Sequence, residues 1–282
     1  MEFIRLAVLL LAVTLSTGCV RLALRFSSSL IPNFAEAFFE ECDPDLAEHS
    51  LPAELKLLEG LLKNDPTNRQ LLTALCMGFT GYALLFVEDD DPERASQLYL
   101  RAANYGVQAL GTEGLDMAEK VIPYKLTTFG ERELESLFWT SMSWNGWINL
   151  NLDRPAALAQ LSIAQACLER VLEIRPEYFF GAPYILMGSI FAARPGIFGG
   201  DEVVSKECFE KAMLVSQGKF LLAHYYFARY YAVRVQNMKL FLELVKEIED
   251  VPANELKEVC LVNAVIKRKT RRLKETSEEL FF

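Results

Sequence analysis

The chain has 282 residues, a formal net charge of −9 and a hydrophobic fraction of 51%. An acidic balance argues against nucleic acid as the main partner, because phosphate backbones are bound by basic faces. The length is sufficient to bury a core in one or two domains. A mean hydropathy of +0.14 indicates that the chain also has a large core, an interface or an apolar cavity.

An apolar run from Leu6 to Leu15 follows Arg5 and ends in Ser16-Thr17-Gly18-Cys19. It is shorter than the roughly 20 residues that a transmembrane helix needs, and it has the flanks of a secretory signal. It resembles a bacterial lipobox, in which the cysteine is diacylated and the chain is cleaved just before it. Residues 1–18 are therefore predicted to be a lipoprotein signal peptide that leaves Cys19 as a lipidated N-terminus.

Two alternatives to the lipobox stay open. In the usual lipobox a leucine stands three residues before the cysteine, where this chain has Ser16. The run could instead be an ordinary secretory signal with an incidental cysteine, or a buried first helix.

No later segment has 18 consecutive apolar residues, so the sequence predicts no second membrane element.

Five further cysteines follow the lipobox. Their number is odd and no CxxC spacing occurs, which favours neither a zinc site nor a complete disulfide framework. We expect all five to be free thiols buried in apolar helices. They are Cys42, Cys76, Cys167, Cys208 and Cys260.

Helix pairs recur along the chain. Apolar residues are spaced by three and four, which predicts an all-α protein. The second helix of a tetratricopeptide repeat (TPR) carries a small residue, a large one four later and a small one three later, with proline after a further five. Matches occur at Ala95, Tyr99 and Ala102, at Ala164, Leu168, Val171 and Pro176, at Ser205, Phe209 and Ala212, and at Leu58, Leu61 and Pro66. The first-helix pattern occurs at Tyr184, Met187, Gly188 and Phe191, and more weakly at Ala223, Tyr226, Phe227 and Tyr230.

These matches predict an all-α superhelix of degenerate TPR helix pairs. Residues 19–50 are expected to form a tether and a leading helix, and residues 51–282 a single TPR-like domain. The concave face of such a stack is usually a binding surface.

The chain resembles a family of periplasmic lipoproteins, the TPR-containing T components that are associated with TRAP transporters. The resemblance covers nearly the whole mature chain and rests on four segments. They are residues 61–68 (LLKNDPTN) with 78–83 (GFTGYA), 98–106 (LYLRAANYG) with 138–139 (FW) and 144–148 (WNGWI), 194–201 (RPGIFGGD) with 209–212 (FEKA), and 261–264 (LVNA) with the basic helix after it.

The resemblance implies a homotrimer with a tunnel or cleft through each protomer. It also implies a periplasmic TRAP-type substrate-binding subunit as partner, which would exchange an apolar or organic-acid ligand with the tunnel. The resemblance implies neither enzymatic activity nor a cofactor.

Three tryptophans, Trp139, Trp144 and Trp147, fall within one broad arc of a single predicted helix. Core packing is one interpretation of this arc, and lining of the ligand cavity is the other. Tyr184 and Tyr226, which belong to the first-helix patterns, and Arg194 are further candidates for contact with ligand or partner.

The segment from Arg194 to Asp201 is predicted to join the two helices of one pair. Pro195 would end the first helix, Gly199 and Gly200 would permit a tight turn, and Asp201 would cap the next helix. These residues are expected to be structural, with a partner contact through the loop as the alternative. No GKS or GKT sequence follows the glycines, so the loop is not a phosphate-binding motif.

Two charged segments are expected to be solvated. The acidic run from Asp89 to Glu93 lacks the pattern of a calcium loop and fits a helix cap. The basic cluster between Lys267 and Lys274 predicts a solvated terminal helix, or one attracted to an anionic membrane or an acidic partner. The two histidines, His49 and His224, stand in no catalytic motif and are predicted to be structural, with no metal site.

The sequence therefore predicts a lipid-anchored periplasmic protein, on the inner or outer membrane of a Gram-negative-type bacterium. It would bind a TRAP-type substrate-binding subunit and assist transport of a small hydrophobic or organic-acid ligand. A scaffold lipoprotein that binds a peptide or protein in its TPR groove is the alternative. An accessory enzyme is disfavoured because no catalytic constellation is present.

Overall fold

Residues 30–281 are described by a computed structural model, and within this range the chain is all-helical, with no strand. The lipobox and Cys19 lie outside the described residues. The α-helices are α1 (Leu30–Glu40), α2 (Pro44–Leu62), α3 (Arg69–Tyr82), α4 (Pro92–Ala109), α5 (Leu115–Lys125), α6 (Leu134–Asn149), α7 (Pro155–Leu158), α8 (Leu161–Ile174), α9 (Tyr178–Ala193), α10 (Glu202–Val215), α11 (Leu221–Tyr226), α12 (Met238–Asp250), α13 (Cys260–Glu275) and α14 (Ser277–Leu280). Helices α3 and α11 continue into the π-helical segments Ala83–Val87 and Phe227–Ala232.

Short polar side chains fix where several of these helices begin. Each of them accepts a hydrogen bond from a backbone N–H of the first turn, which satisfies a donor that has no partner within the helix. The capping residues of α2, α3, α4, α10 and α12 are Asp43, Asn68, Asp91, Asp201 and Asn237.

The central helices pack in sequence, α3 against α4, α4 against α6, α6 against α8, and α9 against α10. Glycines permit two of these close approaches. A Cβ atom on Gly146 would lie 2.9 Å from the Tyr99 ring, and one on Gly188 would lie 3.1 Å from the Phe209 ring. The small-and-large pattern in the sequence thus corresponds to contacts between helices, and Tyr99 and Phe209 are both buried.

The helical stretch Arg69–Val87 is the one segment among residues 30–281 that is long and apolar enough to cross a membrane. It is 78% buried within the fold. Leu71, Leu75 and Cys76 on this stretch are completely enclosed. Its apolar composition is therefore explained by its position in the core.

A disulfide joins Cys42, between α1 and α2, to Cys260 at the start of α13, with a Cα–Cα distance of 5.2 Å. The prediction of five free thiols is wrong for these two residues. They are 218 residues apart, and only the folding of α13 against the leading helices brings them together. Cys76, Cys167 and Cys208 are free and buried, as predicted.

The basic helix α13 is bound to the fold. The Lys267 ammonium donates to three backbone carbonyls at the end of α12, and Arg268 pairs with Asp45 at 2.9 Å. Lys269 is buried. The prediction of a solvated helix is therefore wrong for Lys269, whose charge compensates a carboxylate and a carbonyl of earlier elements. Arg271, Arg272 and Lys274 are exposed, as predicted.

Candidate functional site

A cavity of about 320 Å³ lies between α4, α6, α9 and the two π-helical segments. Helices α6 and α9 each contribute residues three or four positions apart, the spacing that places side chains on one helix face. The lining residues are Leu84, Glu88, Asp89, Pro92, Tyr99, Met142, Gly146, Asn149, Leu150, Leu152, Leu186, Ser189, Ala193, Tyr226, Arg229 and Tyr230.

The two π-helical segments supply the charged wall of the cavity. The first segment contains Leu84 and leads directly into Glu88 and Asp89, and the second contains Arg229 and Tyr230. A π-helical turn has one residue more than an α-helical turn, and such turns are frequent at functional sites. Because the segments face each other, side chains that are 140 residues apart in sequence meet here.

Asp89 is the centre of an ion network. Its carboxylate lies 2.7 Å from the Arg229 guanidinium and 2.8 Å from the Lys269 ammonium. Lys269 also donates to the Leu84 carbonyl at 2.6 Å. Burial alone would raise the pKa of Asp89, but the two cations outweigh it and hold that pKa below its usual value.

Arg229 lies between aromatic rings. Its guanidinium carbon is 5.9 Å from the centre of the Tyr225 ring and 5.7 Å from that of Tyr230. It also donates to the Tyr225 hydroxyl at 2.9 Å. Burial would lower the pKa of Arg229, but the neighbouring tyrosines and Asp89 raise it, so Arg229 is fixed as a cation.

Glu88 is surrounded by tyrosines. The Tyr99 hydroxyl donates to its carboxylate, and the Tyr226 and Tyr230 rings pack edge to face at 5.0 Å. Burial, followed by the charge of Glu88, raises the pKa of Tyr99 well above its usual value. Burial likewise raises the pKa of Tyr226 and Tyr230. The three hydroxyls therefore remain protonated and can donate hydrogen bonds.

None of the three tryptophans lines this cavity, although all three lie on α6 as predicted. Trp144 is fully buried and donates to Gln160 at 2.6 Å. Trp139 is buried against Phe39 and Phe179. The cavity instead meets the stripe of α6 that carries Met142, Gly146 and Asn149.

The other candidate residues lie in different places. Tyr226 lines the cavity. Tyr184 packs beside the cluster around Leu186, with the Lys211 ammonium 5.9 Å from its ring centre. Arg194 is buried and donates to Gln165 at 2.8 Å and to Asn145 at 3.3 Å. Burial lowers the pKa of Arg194 to about 10.

The loop that follows α9 has the predicted turn and cap. Pro195 follows the end of α9, Gly199 has φ +84°, and Asp201 accepts hydrogen bonds from Val203 and Val204. A Cβ atom on Gly200 would lie 1.8 Å from the Arg194 carbonyl oxygen, so no larger residue fits there. A contact of this loop with a partner stays a prediction.

Glu88, Asp89, Asn149 and Arg229 were not recognised from the sequence as residues of one site. The prediction that the acidic run is a solvated cap is confirmed for Asp91, the cap of α4. Asp89 is not a cap, because its carboxylate pairs with Arg229 and Lys269, which come much later in the chain. The sequence signal that could have found the site was Arg229 standing between tyrosines in an apolar helix.

Both histidines have structural contacts. His49 Nδ1 lies 2.6 Å from the Asp45 carbonyl oxygen. His224 is buried, with Nε2 3.2 Å from a Glu247 carboxylate oxygen. Burial lowers the pKa of His224 to about 4, so this contact joins a neutral imidazole to Glu247.

A family model described as the TRAP transporter T-component matches residues 40–281. The chain belongs to the TRAP transporter T-component family. An uncharacterized protein of Treponema pallidum (strain Nichols) is 29% identical to it over 199 residues. That alignment covers 63% of this chain and 62% of the treponemal protein, so less than two thirds of the relative is spanned.

Proposed function

We propose that this T component is a membrane-anchored periplasmic lipoprotein that binds a TRAP-type substrate-binding subunit. It would assist transport of a small organic ligand held in the cavity between the π-helical segments. The observation that carries the proposal is the family match over residues 40–281, which includes every element that lines the cavity. A preformed cavity with an apolar lining and a few fixed polar groups is the usual form of a small-molecule site.

The helix pairs would be degenerate tetratricopeptide repeats. Two of the close approaches described above are between a glycine of one helix and the large repeat residue of another, Gly146 with Tyr99 and Gly188 with Phe209. The small residues Ala95, Ala102 and Ala212 are also completely buried. Three protomers would assemble through their outer surfaces, as the family resemblance implies.

The periplasmic location is supported by two independent features. The lipobox at Cys19 is an export and lipidation signal, and the Cys42–Cys260 disulfide is of a kind that persists in oxidising compartments. Replacing Cys19 with serine should release the protein from the membrane without unfolding it. A Cys19→Ser protein that stayed in the membrane fraction would contradict the lipid anchor.

Co-purification tests the partner. The mature protein carrying an affinity tag is expressed in the organism of origin, cross-linked in intact cells and purified, and its partners are identified by mass spectrometry. The expected result is a TRAP-type substrate-binding protein in stoichiometric amount, with a trimeric mass by light scattering. If only proteins unrelated to TRAP transporters were captured, the result would contradict the transport function and favour the alternative, a scaffold lipoprotein.

A further inference from the structure

One carboxylate that lines the cavity has no cationic partner. The lining contains two carboxylates, Glu88 and Asp89, and one cation, Arg229. Asp89 pairs with Arg229 at 2.7 Å and with Lys269, which lies behind the lining, at 2.8 Å, so the two carboxylates are balanced in number by two cations. Among residues 30–281, no lysine, arginine or histidine nitrogen lies within 4 Å of the Glu88 carboxylate, whose partner is the Tyr99 hydroxyl. The charge that faces the cavity without a directly paired ion is therefore the negative charge of Glu88.

The hydrogen-bonding groups of the cavity lining also favour a ligand that donates hydrogen bonds. The Asn149 side-chain oxygen is enclosed in the cavity wall and accepts no hydrogen bond from any described residue. Together with Glu88 it gives the cavity two acceptors that lack a full set of donors. A buried acceptor without a donor, such as the Asn149 oxygen, is costly, so a ligand that brings an N–H group gains affinity at this site. The partly buried Glu88 carboxylate adds an acceptor that favours positive charge.

The neighbouring rings favour the same ligand. Tyr99, Tyr226 and Tyr230 lie around Glu88, and the face of an aromatic ring attracts cations. The guanidinium of Arg229 shows this attraction within the protein, since it lies over the Tyr230 ring. A carboxylate ligand, in contrast, would meet Glu88 and Asp89 and find Arg229 already paired.

The rest of the lining is hydrocarbon, from Leu84, Met142, Leu150, Leu152 and Leu186 among others. A volume of about 320 Å³ is at the lower end of the range for small-molecule sites, which is roughly 300–1,000 Å³. The cavity therefore suits a small molecule that has both a polar head and an apolar body.

We propose that the cavity binds an organic ammonium ligand, with a protonated or quaternary amine beside Glu88 and Asn149 and its hydrocarbon part against the leucines and Met142. This inference rests on the proposed function in taking the cavity as the ligand site. It replaces the organic-acid ligand that the family resemblance implies by a cationic one.

Three probes with the same six-carbon chain test the head group: hexylammonium, hexanol and hexanoate. Each is titrated by calorimetry at pH 7 into the purified mature protein. Hexylammonium is expected to bind at least ten times more tightly than hexanoate, with hexanol between them. Hexanoate binding as tightly as hexylammonium, or no binding of hexylammonium, would overturn the inference.

Two variants locate the effect at Glu88. Glu88→Gln keeps an acceptor for the Tyr99 hydroxyl and removes the charge, so hexylammonium affinity should fall about tenfold while hexanol affinity stays constant. Glu113→Gln removes an exposed carboxylate elsewhere and should change neither affinity. An unchanged hexylammonium affinity in Glu88→Gln would also refute the placement of the ammonium group beside Glu88. If that variant fails to fold, the comparison of the three probes on the wild-type protein still tests the inference.

The outcome is independent of partner capture. A protein that prefers hexanoate and still captures a TRAP-type subunit would refute the ammonium ligand and leave the proposed function intact. A protein that prefers hexylammonium but captures no such subunit would support the ammonium ligand and refute the proposed function.

Discussion

The Cys42–Cys260 disulfide should contribute a large part of the stability of the fold. It connects the junction of α1 and α2 with the first residue of α13, across 218 residues of chain. Removing it with the double substitution Cys42→Ser and Cys260→Ser leaves every other described cysteine in place. We expect the double variant to fold and to unfold at a lower temperature.

The magnitude follows from the length of the loop that the disulfide closes. For about 218 residues, the chain-entropy relation gives about 5 kcal/mol at 25 °C, and measured disulfides commonly give about 2–4 kcal/mol. In a domain of this size, 1 kcal/mol shifts the melting temperature by about 2–4 °C. The double variant should therefore melt about 5–15 °C below the wild type.

Differential scanning calorimetry with and without a phosphine reductant measures the effect on a secreted form that begins at Val20. The reductant should lower the melting temperature of the wild type and leave that of the double variant unchanged. Thiol titration of the denatured, unreduced wild type should find the three cysteines Cys76, Cys167 and Cys208. Five titratable thiols before reduction, or equal melting temperatures of the two proteins, would refute the assignment of the disulfide.

Three further predictions concern buried polar groups and close packing. Asp89→Asn should destabilise the protein by about 2–4 kcal/mol at pH 7, because Lys269 loses its carboxylate partner. The folded pKa of Asp89 is depressed, so its contribution is complete above pH about 4 and disappears as the pH falls through the folded pKa. Denaturant titrations should show the difference narrowing below pH 4, and a difference that stayed constant would contradict the ion network. His224, whose folded pKa is about 4, stays neutral in the fold, so protonation of the unfolded chain should cost up to about 3 kcal/mol of stability as the pH falls from 6.5 to 4. That loss should be absent from His224→Gln, and the same loss in the variant would contradict the assignment. Gly146→Ala should lower the free energy of unfolding by about 1–3 kcal/mol, because the new Cβ atom would lie 2.9 Å from the Tyr99 ring. The control variant Gly60→Ala, which has open space around it, should be neutral or stabilising. Equal effects of the two variants in thermal melts would contradict the close packing.

The helical class of the fold could be predicted because the apolar spacing is local. The positions of several caps could be predicted for the same reason, since an aspartate such as Asp201 acts on N–H groups two and three residues away. The disulfide could not be predicted. Cys42 and Cys260 carry no local signal, and their pairing depends on how α13 returns to α1 and α2.

The cavity was only partly predictable. Tyr226 was among the candidate residues, and it lines the site. The broad arc of the three tryptophans leaves both core packing and cavity lining open, because a helical arc does not say which neighbour it faces. The structure places Trp144 completely in the core. The π-helical segments shift the register of α3 and α11, so helical-wheel positions counted at 100° per residue do not locate Glu88 or Arg229.

Helix α13 completes the surroundings of the cavity although it does not line it. Lys269 of α13 compensates part of the charge of Asp89 and satisfies the Leu84 carbonyl in the first π-helical segment. Asp89 in turn holds Arg229 in the second segment. Without α13, the buried Leu84 carbonyl would lose this donor, and the two carboxylates Glu88 and Asp89 would outnumber the one remaining cation, Arg229. The disulfide at Cys260 anchors this same helix to the leading helices. The charge around the site therefore depends on α13 as well as on the lining residues, and α13 must be in place before the head-group preference of the cavity can be measured.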